Sequence, residues 1–404
     1  MEVFNNYLDK LVRPEVHVFH RSCYAFQFCG CIGLVLFTLL AMTLTLHLEL
    51  SPFVTAVIIL ASVLTFLGVV MATKIITGEE QIVYYHHEIA VMIVAALVLQ
   101  LLRQPGLPYL DVTILCIGVF LACGRVGCLM GGCCHGRPHR WGVCYRREHA
   151  EAGFTPYYVG VRLFPIQAVE SLWVLSVVVA GVSFVLSGYP QGTALAWYVV
   201  TYGLGRFYFE FVRGDAERPY YVGFSQGQWI SLLLICFVAS AEWIGLLPLH
   251  VWHIGATVCL AVTMIAVALR RRFQRPPTHR LLNPRHVKEV AEAVELISAP
   301  ANEATAIGDW TVLPGRNPTT ADIRIGCTSL GIQISAGRMR TATGDMQHFA
   351  LSSERGRMTE ETARVLAGLI VQLKRAAGSS EFVKGKKDVF HVLIHQKDPK
   401  ELAC

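Results

Sequence analysis

The chain has 404 residues, of which 53% are hydrophobic and only 16% are charged, and its formal net charge is +6. Soluble globular proteins carry about a quarter charged residues, so this composition indicates a membrane protein. The positive charge is modest and forms no basic stripe interleaved with aromatic residues, which argues against nucleic-acid binding. The 13 cysteines are an odd number and several lie inside apolar runs, so no disulfide framework is legible.

Residues 1–23 mix acidic and basic side chains, and the apolar run after them is too long for the core of a cleavable signal peptide. A membrane-spanning helix needs roughly 20 apolar residues. Eight segments fit this length: 24–48, 53–73, 84–102, 109–130, 166–187, 192–212, 227–247 and 251–269. The third begins with YYHHE, which is too polar to face lipid, and only PLHV separates the last two. We therefore predict an all-α multi-pass membrane bundle of seven or eight transmembrane helices over residues 24–270.

The segment RRRFQRPPTHR, residues 270–280, ends the apolar part, because an arginine cluster followed by prolines predicts a stop and a linker, here residues 271–283. Residues 284–404 differ in character. We predict a helix in NPRHVKEVAEAVELI with Asn283 as its cap, and a second helix over residues 359–376. Short strands are predicted in DWTVL, DIRIGC, LGIQISA, HFALSS and DVFHVLIHQ. This part therefore reads as a small soluble α+β domain.

The number of spans decides the topology. Eight spans place both termini on one side of the membrane, and the arginine cluster indicates that this side is the cytoplasm. The basic loop between the fourth and fifth spans would then lie on the same side. Seven spans would put that loop on the opposite side.

A first set of charged residues lies in the segment YGLGRFYFEFVRGD, at the end of the sixth predicted span. Arg206, Glu210 and Arg213 are spaced four and three residues apart, which places them on one face of a helix with an excess of positive charge. Charged groups inside a membrane are costly and are therefore candidates for function. The alternative is a structural ion pair between Arg206 and Glu210.

A second polar group, His86, His87 and Glu88, opens the third span. Histidine titrates near neutral pH, so a general base close to the membrane surface is one interpretation. A polar cap on a short helix is the other.

The segment CGRVGCLMGGCCHGRPHR, residues 123–140, combines glycines and arginines, which suit a phosphate, with cysteines and a histidine, which suit a metal. Its cysteines match neither the CxxC nor the CxxCH spacing, and adjacent Cys133 and Cys134 do not easily ligate one tetrahedral ion. We therefore favour the phosphate and expect no metal. A metal site, a thiol-redox site and an inert turn of small residues remain as alternatives.

Five segments resemble one family in the same order. GRVGCLMGGCCHGRP is similar to the signature of prolipoprotein diacylglyceryl transferases, Gly-Arg-x-Gly-Asn-Phe-x-Asn-Gly-acid-x-aromatic-Gly-Arg. WGV, FPIQAVES, RFYFEFVRGD and SQGQWISL resemble its later motifs, so the resemblance covers roughly residues 20–270. The chain differs at Cys128, Gly131 and Cys133, where the signature has two asparagines and an acid. It also has His87-Glu88 where the family often has two glycines after a histidine.

The resemblance implies transfer of the diacylglyceryl group of phosphatidylglycerol to the thiol of a lipobox cysteine in a prolipoprotein signal peptide, in the bacterial cytoplasmic (inner) membrane. Arg125 and Arg206 would stabilise the phosphate and His86 would deprotonate the thiol. The implied substrate-binding residues are Gly124, Gly127, Cys128, Gly136, Arg137, Gln167, Glu170, Glu210 and Arg213. No cofactor is implied, and the expected partners are membrane lipid and the prolipoprotein. The alternative is a non-catalytic phospholipid- or lipoprotein-binding membrane protein with the same fold.

Overall fold

The computed structural model describes residues 2–18, 21–78, 83–216, 218–273, 278–298, 324–341, 344–374, 380–385 and 388–395. The chain opens with helix α1 (Glu2–Leu11) and a hairpin of strands β1 (Glu15–Val18) and β2 (Arg21–Tyr24). Four long helices follow: α2 (Ala25–His47), α3 (Pro52–Thr77), α4 (Tyr84–Leu101) and α5 (Gly106–Gly131). A structured loop connects α5 to the next long helix and contains strand β3 (Pro138–Cys144), helix α6 (Arg147–Glu151) and strand β4 (Arg162–Leu163).

The second half of the bundle consists of α7 (Ile166–Leu186), α8 (Thr193–Phe209), strands β5 (Tyr220–Tyr221) and β6 (Phe224–Ser225), α9 (Gln226–Trp243) and α10 (Val251–Phe273). All eight predicted spans form helices, so the prediction of a helical membrane bundle is confirmed. Among the described residues, six of these helices are long and apolar enough to cross a membrane: α2, α3, α4, α5, α7 and α10. The other two, α8 and α9, have 17 and 18 residues and pack against each other inside the bundle.

Helix α5 lies at the centre of the bundle, where it packs against α2, α4, α7 and α8. Most of its residues are buried, because apolar side chains surround the helix on all sides and neighbouring helices cover each face. Gly132, with φ near +88°, ends the helix in the left-handed conformation. Arg125 therefore lies on a helix that is packed on every side.

Contacts between helix ends define two sides of the bundle. On the first, which we call the loop side, Nε2 of His86 at the start of α4 lies 3.1 Å from Nε2 of Gln226 at the start of α9. On the far side, the carboxylate of Asp111 accepts hydrogen bonds from the backbone N–H groups of Gly192 (2.6 Å) and Leu195 (2.7 Å) at the start of α8. Successive long helices thus alternate in direction, which agrees with the eight-helix alternative.

The last part of the chain contains helices α11 (Thr278–Leu281), α12 (Pro284–Ser298) and α13 (Glu360–Leu373) and the strands β7 (Arg324–Cys327), β8 (Ile332–Thr341), β9 (Gly344–Ser353), β10 (Ser380–Lys384) and β11 (Phe390–His395). The strands form one antiparallel sheet in the order β10-β11-β9-β8-β7. The predicted α+β domain is confirmed, and α12 begins at Pro284 as expected. Thr359 caps α13 and accepts a hydrogen bond from the N–H of Thr362. The predicted strand DWTVL lies outside the described residues.

The N-terminal segment and the C-terminal domain both pack on the loop between α5 and α7. Asn5 accepts a hydrogen bond from the N–H of Gly142 (3.0 Å), and Asp9 accepts one from the N–H of Cys144 (2.8 Å). Asp9 also pairs with Arg162 at 2.9 Å. Buried residues of α1, the loop, α12, α13 and the five-stranded sheet form one continuous apolar cluster. The structure therefore covers this loop from both ends of the chain.

Candidate active site

Glu170, in the second turn of α7, connects the two arginines that the sequence singles out. Its Oε2 lies 3.1 Å from Nε of Arg125 and 3.4 Å from Nη1 of Arg206. Its Oε1 accepts a hydrogen bond from the hydroxyl of Tyr202 at 3.1 Å. All these side chains are buried. A carboxylate between two guanidinium groups fixes their positions and lowers the cost of holding them away from water.

Glu210, which caps α8, forms the second junction. Its Oε1 lies 2.7 Å from Nη2 of Arg206 and 3.4 Å from Nη1 of Arg213, as the four-and-three spacing predicts. Its Oε2 pairs with Arg218. The helix itself ends at Phe209, so Arg213 reaches Glu210 from a turn beyond the last helical residue. The structural ion pair of the alternative interpretation therefore exists, but it belongs to a larger assembly.

Two charged residues of this assembly were missed in the sequence. Asp215 lies 2.9 Å from Nη2 of Arg213 and 3.0 Å from Nε of Arg218. These charges are visible in the sequence in RGDAER, which begins at the last residue of RFYFEFVR. We call the whole assembly the arginine network, and its members are Arg125, Arg206, Arg213, Arg218, Glu170, Glu210 and Asp215.

The arginine network has four guanidinium groups and three carboxylates, which leaves one positive charge in excess among its members. Arg125 uses Nε towards Glu170, and its two terminal nitrogens form no hydrogen bond with another described residue. Guanidinium groups present paired donors that match a phosphate, and they act strongly where water is excluded. The arrangement can therefore accept an anion at Arg125.

Backbone pairing joins the loop after α5 to the turn after α8. Gly136 forms a bridge with Arg213, the N–H of Arg137 donates to the carbonyl of Val212 (3.1 Å), and the N–H of Gly214 donates to that of His135 (2.9 Å). A Cβ on Gly136 would lie 2.4 Å from the carbonyl oxygen of Phe164, so only glycine fits there.

Arg137 adds a cation beside the network. Its Nε donates to the carbonyl of Arg213 at 3.4 Å. Burial lowers the pKa of Arg137 from its ordinary value, and the nearby positive charges of Arg218 and Arg271 lower this pKa further. A bound anion would oppose both effects.

The other predicted substrate-binding residues lie in different surroundings. Gln167 donates from Nε2 to the carbonyl of Cys133 at 2.8 Å and so holds the backbone of the cysteine segment. Its Oε1 is buried and has no hydrogen-bond partner among the described residues. Gly127 faces α2, where a Cβ would lie 3.0 Å from Cα of Phe26, whereas a Cβ on Gly124 would meet nothing within 4 Å. Gly127 thus allows α5 to pack closely against α2, whereas the space beside Gly124 is open.

His86 is exposed on the loop side, where it contacts Gln226. No hydrogen bond or ion pair among the described residues joins it to the arginine network. Its neighbours point inward, since His87 is 4% and Glu88 5% exposed. The prediction that the start of α4 is too polar for lipid is therefore explained by burial of these two side chains in the bundle.

Three cysteines converge at the end of α5. The sulfur atoms of Cys128, Cys133 and Cys134 all lie within 4.8 Å of one another, and we call this group the thiol cluster. The spacing argument expected adjacent Cys133 and Cys134 not to reach one ion, and the structure differs because the chain turns sharply here. Gly132 has φ near +88° and Cys134 has φ near +53°, which folds both thiols back towards Cys128.

Among the described residues, six helices are long and apolar enough to cross a membrane, which makes this an integral membrane protein, and its buried arginines mark a candidate functional site. The family model for prolipoprotein diacylglyceryl transferase matches residues 19–244, which is more than half of the chain. The chain therefore belongs to this family.

Curated relatives agree with this membership. The phosphatidylglycerol–prolipoprotein diacylglyceryl transferase of Clostridium tetani is 30% identical over 131 residues, which cover 32% of this chain and 50% of the relative. The protein of the same name from Dehalococcoides mccartyi is 33% identical over 128 residues, or 31% of this chain and 46% of the relative. The chain spans about half the length of the curated relatives it matches.

Proposed function

We propose that the protein is a membrane transferase that moves the diacylglyceryl group of phosphatidylglycerol to the thiol of a lipobox cysteine in a prolipoprotein. The observation that carries the proposal is the sharing of buried Glu170 by Arg125 and Arg206. The family match and the names of the relatives support it. They lend no such support to the non-catalytic lipid-binding alternative. We place the protein in the bacterial cytoplasmic membrane, where the lipid donor and the signal peptide both reside.

In the proposed reaction the acceptor sulfur attacks the glycerol carbon that carries the phosphate. A carbon–sulfur bond forms, the carbon–oxygen bond breaks, and its electron pair stays on the departing phosphate as glycerol phosphate leaves. Arg125 and Arg206 face the charge that develops on this oxygen, in a site from which water is largely excluded. Glu170 keeps both guanidinium groups in place before the lipid arrives, so little reorganisation is needed. His86 is the candidate base that receives the thiol proton.

The first prediction concerns the two arginines. Arg125→Ala and Arg206→Ala should each abolish transfer, because each removes a fixed positive charge from the leaving phosphate. Arg147, an exposed arginine of the same loop, offers the matched control, and Arg147→Ala should stay active. The measurement is lipidation of a prolipoprotein in a bacterium depleted of its own transferase. It is paired with purified protein, phosphatidylglycerol and a lipobox peptide. Normal transfer by both arginine variants, with normal membrane insertion, would overturn the mechanism.

A further inference from the structure

We propose that the thiol cluster binds a zinc ion whose open fourth position takes the acceptor cysteine and makes it a thiolate. This inference rests on the proposed function, since it assigns the activation of the acceptor thiol in that reaction. It gives Cys128, Cys133 and Cys134 a catalytic role beside the arginines.

The geometry of the thiol cluster suits one soft ion. Three sulfur atoms around a tetrahedral zinc at about 2.3 Å lie about 3.8 Å from one another, and in this protein they already lie within 4.8 Å. The left-handed conformation of Cys134 brings its thiol back towards the end of α5. Non-glycine residues rarely hold this conformation unless their surroundings enforce it.

The coordination sphere is incomplete in the way that a catalytic zinc requires. No fourth cysteine, histidine, aspartate or glutamate of the described residues belongs to the thiol cluster. Structural zinc sites have four protein ligands, whereas catalytic sites have three and leave one position for water or substrate. Cys133 is exposed, so an external thiol can approach from its side.

Charge also favours metal binding with a thiolate substrate. Two guanidinium groups lie near the thiol cluster, since Arg125 is three residues before Cys128 on α5 and Arg213 pairs with Gly136, two residues after Cys134. Four thiolates around one zinc ion carry a net charge of about −2, and the positive charge that the arginine network has in excess offsets part of it. The thiol cluster therefore lies on the face of α5 that carries Arg125, which the proposed function assigns to the leaving phosphate.

Because His86 is exposed and apart from the arginine network, a second group that activates the acceptor thiol would help the reaction. A base needs an orienting partner, and the contact of His86 with the Gln226 amide supplies no charge. A metal deprotonates a coordinated thiol outright. His86 then has only to carry the proton away.

The step balances without any change of oxidation state. The acceptor thiol binds zinc and releases its proton to His86 or to water. The zinc-bound sulfur attacks the glycerol carbon, the new carbon–sulfur bond replaces the carbon–oxygen bond, and the oxygen leaves with the phosphate. The thioether product is a weak ligand and dissociates, which reopens the fourth position.

Metal binding is tested first, on the reduced full-length protein in detergent. Cobalt(II) replaces zinc as a visible probe, and we expect a single equivalent with thiolate-to-cobalt charge-transfer absorption and the bands of a tetrahedral ion. Cys128→Ser, Cys133→Ser and Cys134→Ser should each weaken zinc affinity by at least about 10-fold. The control is Cys23→Ser, an exposed cysteine on strand β2, which should bind as the unmodified protein does. Equal affinity in all four variants would overturn the site.

Activation of the acceptor is tested next, by a signal that does not depend on turnover. A peptide with the lipobox cysteine should change the charge-transfer band of the cobalt protein, and the same peptide with serine should not. An unchanged band with both peptides would overturn the activating role.

The two proposals fail in different ways. Full transfer activity in protein freed of metal by a chelator would overturn the zinc inference and leave the transferase intact. A metal-bound protein that takes the peptide thiol but never transfers diacylglycerol would overturn the proposed function, and the activation step with it.

Discussion

At the scale of single residues, Glu170 is the most informative side chain of the site. It joins α5 to α8 through Arg125 and Arg206, two residues that are 81 positions apart in the chain. An acid in the site that we propose for an anionic lipid looks unfavourable when considered alone. It makes sense once the surrounding cations outnumber the acids, because the acid then fixes the cations without cancelling their charge.

The second prediction follows from this position. Glu170→Gln keeps the shape of the side chain but leaves two buried guanidinium groups without their shared anion. We expect a loss of about 3 kcal/mol in stability and a fall in transfer of about 100-fold or more. Thermal unfolding in detergent and the lipobox-peptide assay measure the two effects. Glu148→Gln, at an exposed glutamate of the same loop, is the control and should change neither. Unaltered stability would mean that Glu170 does not hold the arginines.

At the scale of elements, the loop between α5 and α7 depends on close backbone contact. Gly142 has φ near +142°, and a Cβ there would lie 2.0 Å from the carbonyl oxygen of Leu163 on β4. Strands β3 and β4 can therefore approach this closely only because residue 142 is a glycine. This contact in turn sets the path of the chain from Gly136 to the start of α7.

The third prediction tests that contact. Gly142→Ala should destabilise the protein by about 3 kcal/mol or more, because the backbone strain and the clash with Leu163 both apply. Gly153→Ala is a matched control in the same loop, since Gly153 also has positive φ (+102°) but has open space around its Cβ position. It should cost only the strain, about 1 kcal/mol. Equal thermal shifts for the two variants would show that β3 and β4 are not tightly apposed.

The fourth prediction concerns helix α12. Burial lowers the pKa of His286 from 6.5, against smaller opposing effects of the Leu281 carbonyl and of Glu289. The unfolded segment therefore takes up a proton near pH 6.5 while the folded imidazole stays neutral. The unfolded state then binds more protons, so stability falls as the pH drops below about 6.5. Hydrogen exchange across residues 284–298, corrected for intrinsic rates, should quicken between pH 7 and pH 5.

A control for this effect is available at the same position. His286→Gln removes the titrating group and can still donate towards the carbonyl of Leu281 or the hydroxyl of Thr328, which the histidine contacts at 2.8 and 3.1 Å. The pH dependence should shrink but not vanish, because burial also lowers the pKa of His348. An unchanged pH dependence would assign it to other groups.

Most helices could be predicted from the sequence because their signals are local. Apolar runs define α2 to α5 and α7 to α10, and Asn283 with Pro284 marks the start of α12. Strand β10 was missed, since its five residues SEFVK have little apolar alternation. The order of the sheet could not be predicted either, because pairing of β11 with β9 depends on contacts far apart in the chain.

The site was predictable in part for the same reason. Arg206, Glu210 and Arg213 follow helical spacing, so their contact could be expected. Asp215 joins them from a turn, where spacing gives no direction. The convergence of the thiol cluster depends on left-handed residues after α5, and a non-glycine residue such as Cys134 gives no sign of that conformation in the sequence.

At the scale of the whole molecule, the alternation of the long helices fixes which segments share a side. The N-terminal segment, the loop between α5 and α7, and the C-terminal domain all lie on the loop side. We propose that this side faces the cytoplasm, because the arginine cluster Arg270 to Arg272 lies at the end of α10.

The fifth prediction is a topology. A fluorescent protein fused after the C-terminal domain should fold and fluoresce in the cytoplasm. Alkaline phosphatase inserted between α9 and α10, at residues 244–250, should be active on the opposite side. Fluorescence of the C-terminal fusion together with inactive alkaline phosphatase at residues 244–250 would put both reporters on one side, which would contradict the alternation of helices described above.

The packing of the C-terminal domain on the active-site loop has a consequence for biosynthesis. The loop ends with β4, and α12 begins about 120 residues later, which at bacterial rates of translation is a delay of roughly ten seconds. During that interval the loop lies at the membrane without the apolar surface of the C-terminal domain that will cover it. The C-terminal domain, which is synthesised last, therefore completes the packing around a loop that is synthesised much earlier. A nascent chain that has finished all its membrane helices is still immature until its last domain folds.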